Sequence, residues 1–98
     1  MNVAIDYDYT YTLDPQLWDD IIKIMQAAGH QVYCVTARRH WESKEVLDTI
    51  GKLVPVYFTE RKAKKPFMLQ QGIIIDVWID DTPEAIILDH DQFHTANH

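Results

Sequence analysis

Four short apolar runs alternate with helical patterns along this chain, and this alternation limits the possible folds more than any other feature. The runs cover residues 3–5, 31–35, 54–58 and 73–79. Strands that are apolar throughout and joined by helices are typical of a parallel sheet covered on both faces. The pattern predicts an α/β fold, a Rossmann-like three-layer sandwich with a small, mainly parallel sheet of about four strands.

The helical segments between these runs carry start and stop signals. Asp14 and Pro15 supply the N-cap and first residue of the first helix, which continues at helical spacing to Gly29. The later helices have comparable signals: Gly51 as the stop after 41–50, Pro66 as the first residue of a helix ending near Gly72, and Thr82 and Pro83 before a last turn through Leu88.

Length and composition fit one small domain. The chain has 98 residues, 47% of them hydrophobic and 24% charged, which is ordinary for a globular protein. We assign residues 1–88 to a single domain and predict that the polar segment 89–98 is a frayed tail. His90, His94 and His98 in that segment have a metal-binding spacing, but a disordered tail is the favoured interpretation.

The chain also carries signals about its compartment and its partners. It has a single cysteine, Cys34, and neither a signal-peptide pattern nor a membrane-spanning run, so a cytoplasmic location without membrane contact is expected. The formal net charge of -6 disfavours binding to duplex nucleic acid. A phosphorylated substrate remains compatible with this charge, because a bound cation reverses its sign locally.

Polar residues follow the predicted strands where each one ends. They are Asp6, Asp8, Thr36, Asp80 and Asp81. The carboxyl ends of parallel strands meet at one edge of a sheet, so these side chains are expected to converge. Carboxylates from two strands would repel one another without a cation, and their hard oxygen atoms favour Mg²⁺.

The order of these residues resembles the motifs of the haloacid dehalogenase-like superfamily. Asp6-Tyr7-Asp8-Tyr9-Thr10 looks like its first motif, Thr36 its second, a lysine within 62–65 its third, and Asp80-Asp81 its fourth. The resemblance covers nearly the whole chain. Within the superfamily, the segment Trp78-Ile79-Asp80-Asp81-Thr82-Pro83 is similar to small, uncharacterised members from phages and prophages.

This resemblance implies a role for each matching residue in a Mg²⁺-dependent phosphohydrolase. Asp6 would form an aspartyl-phosphate and bind the metal, and Asp8 would exchange protons and reach the metal through its backbone carbonyl. Asp80 would bind the metal directly and Asp81 through water, while Thr36 would hydrogen-bond the phosphoryl oxygens. Both Lys64 and Lys65 fit the motif lysine that neutralises the phosphate, with Lys64 slightly favoured.

The intervals between the motifs are too short for the cap domain that many superfamily members carry. An open site of this kind implies an exposed macromolecular phosphate, a neighbouring subunit of a homo-oligomer as the lid, or a permissive phosphatase for nucleotides and other small molecules. Tyr7, Tyr9 and Tyr11 flank the first motif, and packing is favoured over stacking on a substrate for all three.

Two other classes of protein are alternatives. A phosphorylation-receiver domain would need its acceptor aspartate after the third strand, where this chain has Phe58, Thr59 and Glu60. A binding module could instead keep the fold and the Mg²⁺ site while acting on a host protein. A cysteine phosphatase is disfavoured because it needs a phosphate-binding arginine where this chain has His40.

Overall fold

The computed structural model describes residues 1–93 of the chain. The described strands are β1 (Asn2–Ile5), β2 (Gln31–Thr36), β3 (Val56–Phe58) and β4 (Val77–Ile79). The described α-helices are α1 (Pro15–Ala27), α2 (Lys44–Asp48), α3 (Lys64–Gln70), α4 (Glu84–Ile87) and α5 (His90–Phe93). Short 3₁₀ turns lie at Tyr11–Leu13, His40–Glu42 and Ile50–Lys52.

The four strands form one sheet in the order β3-β2-β1-β4, and each neighbouring pair is parallel. In the register, Ile5 of β1 lies between Cys34 of β2 and Ile79 of β4. This arrangement confirms the predicted α/β fold with a small parallel sheet. It also brings the carboxyl ends of the strands to the same edge.

Apolar side chains cover both faces of the sheet. On one face Ile5 belongs to a buried cluster with Ile22 of α1 and Val46 of α2. On the other face Ala4 packs in a second cluster with Met68 of α3. Successive residues of β1 thus point to opposite layers, as the pleat of a strand requires, and the predicted three-layer sandwich is confirmed.

The first helix follows the sequence signals closely. A side-chain oxygen of Asp14 accepts a hydrogen bond from the Leu17 N–H at 3.2 Å, which caps the helix that begins at Pro15. After the helix, Gly29 has a positive φ of 90°, a conformation that costs glycine least. The predicted cap and stop of α1 are both confirmed.

The continuous helix predicted over 41–50 is wrong, because the structure has two 3₁₀ turns with the short α2 between them. At the end of α2 the hydroxyl of Thr49 donates to the carbonyl of Glu45 at 2.6 Å. The Thr49 N–H bonds the carbonyl of Val46 at 3.3 Å instead. A side chain therefore takes the acceptor that a continuing helix would use for its own backbone.

The third and fourth strands are shorter than predicted. β3 begins at Val56 and not at residue 54, since Pro55 has no N–H to give to a ladder. β4 begins at Val77 and not at residue 73. Ahead of β4, the carboxylate of Asp76 accepts from the Asn2 N–H at 2.7 Å, and the carbonyl of Ile74 accepts from the Asn2 side chain at 2.9 Å. The Asp76 N–H also donates to the carbonyl of Asn2 at 2.8 Å, so side-chain bonds join a single backbone bond ahead of β4.

The first part of the predicted tail is attached to the domain. A carboxylate oxygen of Asp89 accepts from the Ala63 N–H at 2.7 Å, and the His90 N–H donates to the carbonyl of Arg61 at 2.9 Å. The remainder of the predicted tail, including His94 and His98, lies outside the described residues. Within residues 1–93, none of the helices has the length and apolar character needed to cross a membrane.

Candidate active site

Three carboxylates meet at the carboxyl edge of the sheet. Asp6 follows β1, and Asp80 and Asp81 follow the neighbouring β4. One oxygen atom from each lies within 4.8 Å of the others. The Asp6 N–H extends the ladder by donating to the carbonyl of Ile79 at 2.9 Å, which fixes the two strand ends side by side. The group that the sequence predicts from distant segments is therefore brought together.

A buried lysine joins two of these carboxylates. The Nζ atom of Lys64 lies 2.8 Å from Asp6 Oδ1 and 2.6 Å from Asp80 Oδ2. The Lys64 side chain is 2% exposed, whereas Lys65 is exposed to solvent. Of the two lysines that the sequence left open, the structure brings Lys64 into the site and leaves Lys65 outside.

The position of Lys64 depends on where α3 begins. The sequence predicts Pro66 as the first helical residue, but the helix begins at Lys64, with Ala63 as its N-cap residue. The side chain of Asp89 satisfies the Ala63 N–H. Pro66 still falls in the first turn, where a missing N–H costs no helical hydrogen bond. Lys64 is therefore the first residue of α3, and this end of the helix faces the carboxyl edge of the sheet.

The charges in this cluster are incompletely balanced. Burial raises the pKa of Asp6 to about 7, against the opposing effect of the Lys64 ammonium. For Lys64, burial acts to lower its pKa, but the carboxylates of Asp6 and Asp80 together outweigh it and raise the pKa. One ammonium thus faces three carboxyl groups, and an additional positive charge would stabilise the cluster.

The carboxylate of Asp8 is bound by Arg38, which lies two residues after the end of β2. Arg38 holds both oxygens of the Asp8 carboxylate, with Nε 2.9 Å from Oδ2 and Nη2 2.8 Å from Oδ1. Arg38 also donates to the carbonyl of Glu42 at 3.0 Å and lies 5.0 Å from the ring centroid of Tyr7. The bond to Asp8 raises the pKa of Arg38. The Asp8 carboxylate is therefore directed at Arg38 and lies outside the group of three.

Thr36 ends β2 at the same edge of the sheet. Its side chain is buried, and its hydroxyl oxygen accepts from the Arg38 N–H at 3.2 Å. Its carbonyl accepts from the Thr59 N–H at 2.8 Å. These bonds fix the hydroxyl of Thr36 beside Arg38, so the second predicted motif does reach the site.

Two further residues contribute to this geometry, although the sequence analysis gave Thr10 no role and left Arg38 out of the predicted catalytic residues. The Thr10 hydroxyl oxygen lies 3.4 Å from Asp6 Oδ2 and 3.3 Å from Asp81 Oδ1, and accepts from the Asp81 N–H at 3.2 Å. Thr10 thus links the first motif to the fourth. Its place in the first motif was the available signal, and the position of Arg38 two residues after Thr36 was the signal for the second contributor.

Apart from Thr10, the side chains of this site line one cavity of about 200 Å³. Every predicted motif contributes to its polar lining, which consists of Asp6, Asp8, Tyr9, Thr36, Arg38, Arg61, Lys64, Asp80, Asp81, Thr82 and His90. Between β1 and α1 the chain adds only the 3₁₀ turn Tyr11–Leu13. The volume is sufficient for a group as small as phosphate. Within residues 1–93, no large inserted segment separates the cavity from solvent.

No protein-family model, curated protein or solved structure matches this chain. The function of this chain must therefore be inferred from its motifs and from the geometry of the site.

The donor set of the cluster fits Mg²⁺, because it consists of carboxylate oxygens with excess negative charge. We expect Mg²⁺ at ten times its dissociation constant to raise the free energy of unfolding by about 1.4 kcal/mol. Asp80→Asn should remove this gain, and Asp48→Asn, at an exposed carboxylate of α2, should keep it. Thermal unfolding with and without Mg²⁺, at constant ionic strength, measures the effect. An equal gain in Asp80→Asn would show that the ion binds elsewhere.

Proposed function

We propose that this chain is a Mg²⁺-dependent phosphomonoesterase of the haloacid dehalogenase type that works through an aspartyl-phosphate on Asp6. One observation carries the proposal: the buried Asp6 shares Lys64 with Asp80 inside a cavity that also receives Thr36 and Arg38. Carboxylate, ammonium, hydroxyl and guanidinium groups converge on a space large enough to hold a phosphate group. This combination supports phosphoryl transfer better than binding alone.

In the first step a carboxylate oxygen of Asp6 attacks phosphorus, and the bond between phosphorus and the ester oxygen breaks. The leaving oxygen takes a proton from the carboxyl group of Asp8. For this step Asp8 must leave Arg38, take up a proton from solvent and contact the leaving group in its protonated form. The freed Arg38 fork can then bind the phosphoryl oxygens, a geometry to which guanidinium is suited.

In the second step Asp8 accepts a proton from a water molecule, which attacks phosphorus. The bond between phosphorus and Asp6 breaks, so inorganic phosphate leaves and both aspartates return to their starting forms. Lys64 and Thr36 hold the phosphoryl oxygens through charge and hydrogen bonding in both steps. Mg²⁺, held by Asp6, Asp80 and Asp81 with the backbone of Asp8, would neutralise charge on the phosphate.

The test measures Mg²⁺-dependent phosphate release from an aryl phosphate, nucleotides, sugar phosphates and phosphorylated oligonucleotide ends. We expect wild type to turn over at least one of them. The leaving group of an aryl phosphate needs no acid. The Asp8→Asn variant should therefore release one equivalent of the phenol from this substrate and remain as a stable phosphoenzyme. The phosphoenzyme would accumulate because the variant lacks the base that activates water in the second step.

The outcomes separate the proposal from its alternatives. A receiver domain would retain label from acetyl phosphate in the wild-type protein for minutes without turnover. A binding module would fold and bind Mg²⁺ but release phosphate from no substrate in the panel. Either result would overturn the phosphomonoesterase proposal.

A further inference from the structure

A second cavity of about 490 Å³ adjoins the first. The two share Asp8, Arg38 and Arg61 as lining residues, so the space continues from the phosphate position past the proton-transferring Asp8. In the proposed reaction the leaving group departs on the side of Asp8. The second cavity is therefore in position to hold the leaving group of the substrate.

An exposed indole lines this second cavity. Trp41 is 67% exposed, although tryptophan is normally well buried. The guanidinium of Arg39 lies 5.6 Å from its ring centroid, and the His40 ring meets it edge-on at 5.0 Å. The Arg39 N–H donates to a carboxylate oxygen of Glu42 at 2.9 Å, which closes the 3₁₀ turn that carries Trp41. The indole is thus held by a short hydrogen-bonded turn and offers a flat surface to a ligand.

The charged lining of the second cavity is balanced. Its cations are Arg38, Lys44 and Arg61, and its anions are Asp8, Glu42 and Glu45. A leaving group with a second phosphate would meet as many carboxylates as cations and gain little. A neutral leaving group with hydroxyl and amino groups would find both donors and acceptors.

We propose, on the basis of the proposed phosphatase activity, that the substrate is a nucleoside monophosphate whose base stacks on Trp41. The neutral nucleoside supplies both the aromatic surface for the indole and the polar groups for the surrounding side chains. The phosphate occupies the first cavity and the nucleoside the second. The formal net charge of -6 favours a mononucleotide over a nucleic-acid end, which would bring further phosphates.

The experiment compares adenosine 5′-monophosphate with ribose 5-phosphate, which lacks the base. In wild type the nucleotide should have a kcat/KM about tenfold higher, as expected for one base stacked on an aromatic side chain. Trp41→Ala should bring the ratio of the two values near one. Ile24→Ala, which removes an exposed apolar side chain of α1, should leave the ratio unchanged. Calorimetric binding of both ligands to Asp6→Asn, with and without Trp41→Ala, gives the same comparison without turnover.

Equal kcat/KM values for the two substrates in wild type would overturn the nucleoside inference and leave the phosphatase proposal intact. Faster turnover of a 5′-phosphorylated single-stranded oligonucleotide than of the mononucleotide would overturn it in favour of a nucleic-acid end. If no substrate is turned over, the phosphatase proposal fails, and the calorimetric comparison decides the nucleoside site. Tighter binding of the nucleotide that is lost in Trp41→Ala would support the site, and equal binding would overturn it.

Discussion

Replacing Lys64 by methionine is expected to reduce phosphate release at least about a hundredfold and to lower the free energy of unfolding by about 3–5 kcal/mol. Methionine keeps the length and apolar stem of the side chain but removes the ammonium. Asp6 and Asp80 would then be buried without the cation that bonds both of them. Removing one partner from a buried ion pair costs more than the pair itself contributes.

Lys65→Met is the matched control, because it makes the same chemical change at the next, exposed position. It should change the unfolding free energy by less than about 0.5 kcal/mol and leave turnover near the wild-type value. Urea unfolding without Mg²⁺ and steady-state kinetics with Mg²⁺ measure the two effects. Equal losses in the two variants would contradict the assignment of Lys64. If Lys64→Met does not fold, Lys64→Arg tests whether a cation alone restores the fold.

Asp6→Asn is expected to abolish turnover and yet to stabilise the metal-free protein. The loss of the nucleophile should reduce kcat at least about a thousandfold. At pH 8 the same change should raise the free energy of unfolding by about 1–3 kcal/mol, because a neutral amide replaces a buried carboxylate. The asparagine oxygen can still accept a hydrogen bond from Lys64, which keeps its ion pair with Asp80.

The stabilisation by Asp6→Asn should depend on pH in a defined direction. The pKa of Asp6 is raised from 3.8 to about 7 in the folded protein, so between these values the folded state binds more protons than the unfolded state. Stability of the wild type therefore falls as pH rises through this window, and the advantage of Asp6→Asn grows. Below pH 4 the two proteins should be nearly equally stable.

Urea unfolding of the metal-free wild type and variant at intervals from pH 4 to pH 8 measures this difference. Asp20→Asn serves as a control at an exposed aspartate of α1 outside the carboxylate cluster. A constant or shrinking advantage of Asp6→Asn with rising pH would show that Asp6 is ionised throughout. A stabilised but inactive Asp6→Asn would indicate that the fold gives up stability to hold its nucleophile.

Much of the fold and the placement of the site residues follows from the sequence. Apolar runs that end in aspartate or threonine give both the parallel sheet and the edge at which Asp6, Thr36 and Asp80 meet, because parallel strands end on the same side. The cap at Asp14 is equally readable, since it depends on neighbours within one turn. These features are local or follow from the order of elements.

The parts that sequence reasoning missed depend on contacts between distant residues or on competition for one acceptor. The break of the second helix arises because the Thr49 hydroxyl takes the carbonyl of Glu45. The start of α3 at Lys64 is accompanied by a bond from Ala63 to Asp89, which lies in the segment predicted to fray. The pairing of Arg38 with Asp8 joins the segments that follow β1 and β2, so it cannot be predicted from the local sequence around either residue.

The central position of β1 has a consequence for the order in which the protein is made. β1 precedes the other described strands along the chain, but its two sheet neighbours are β2 and the last described strand, β4. During synthesis Asp6 therefore precedes the other two carboxylates of the cluster by more than seventy residues. The cluster is assembled only after β4 has been synthesised and has paired with β1.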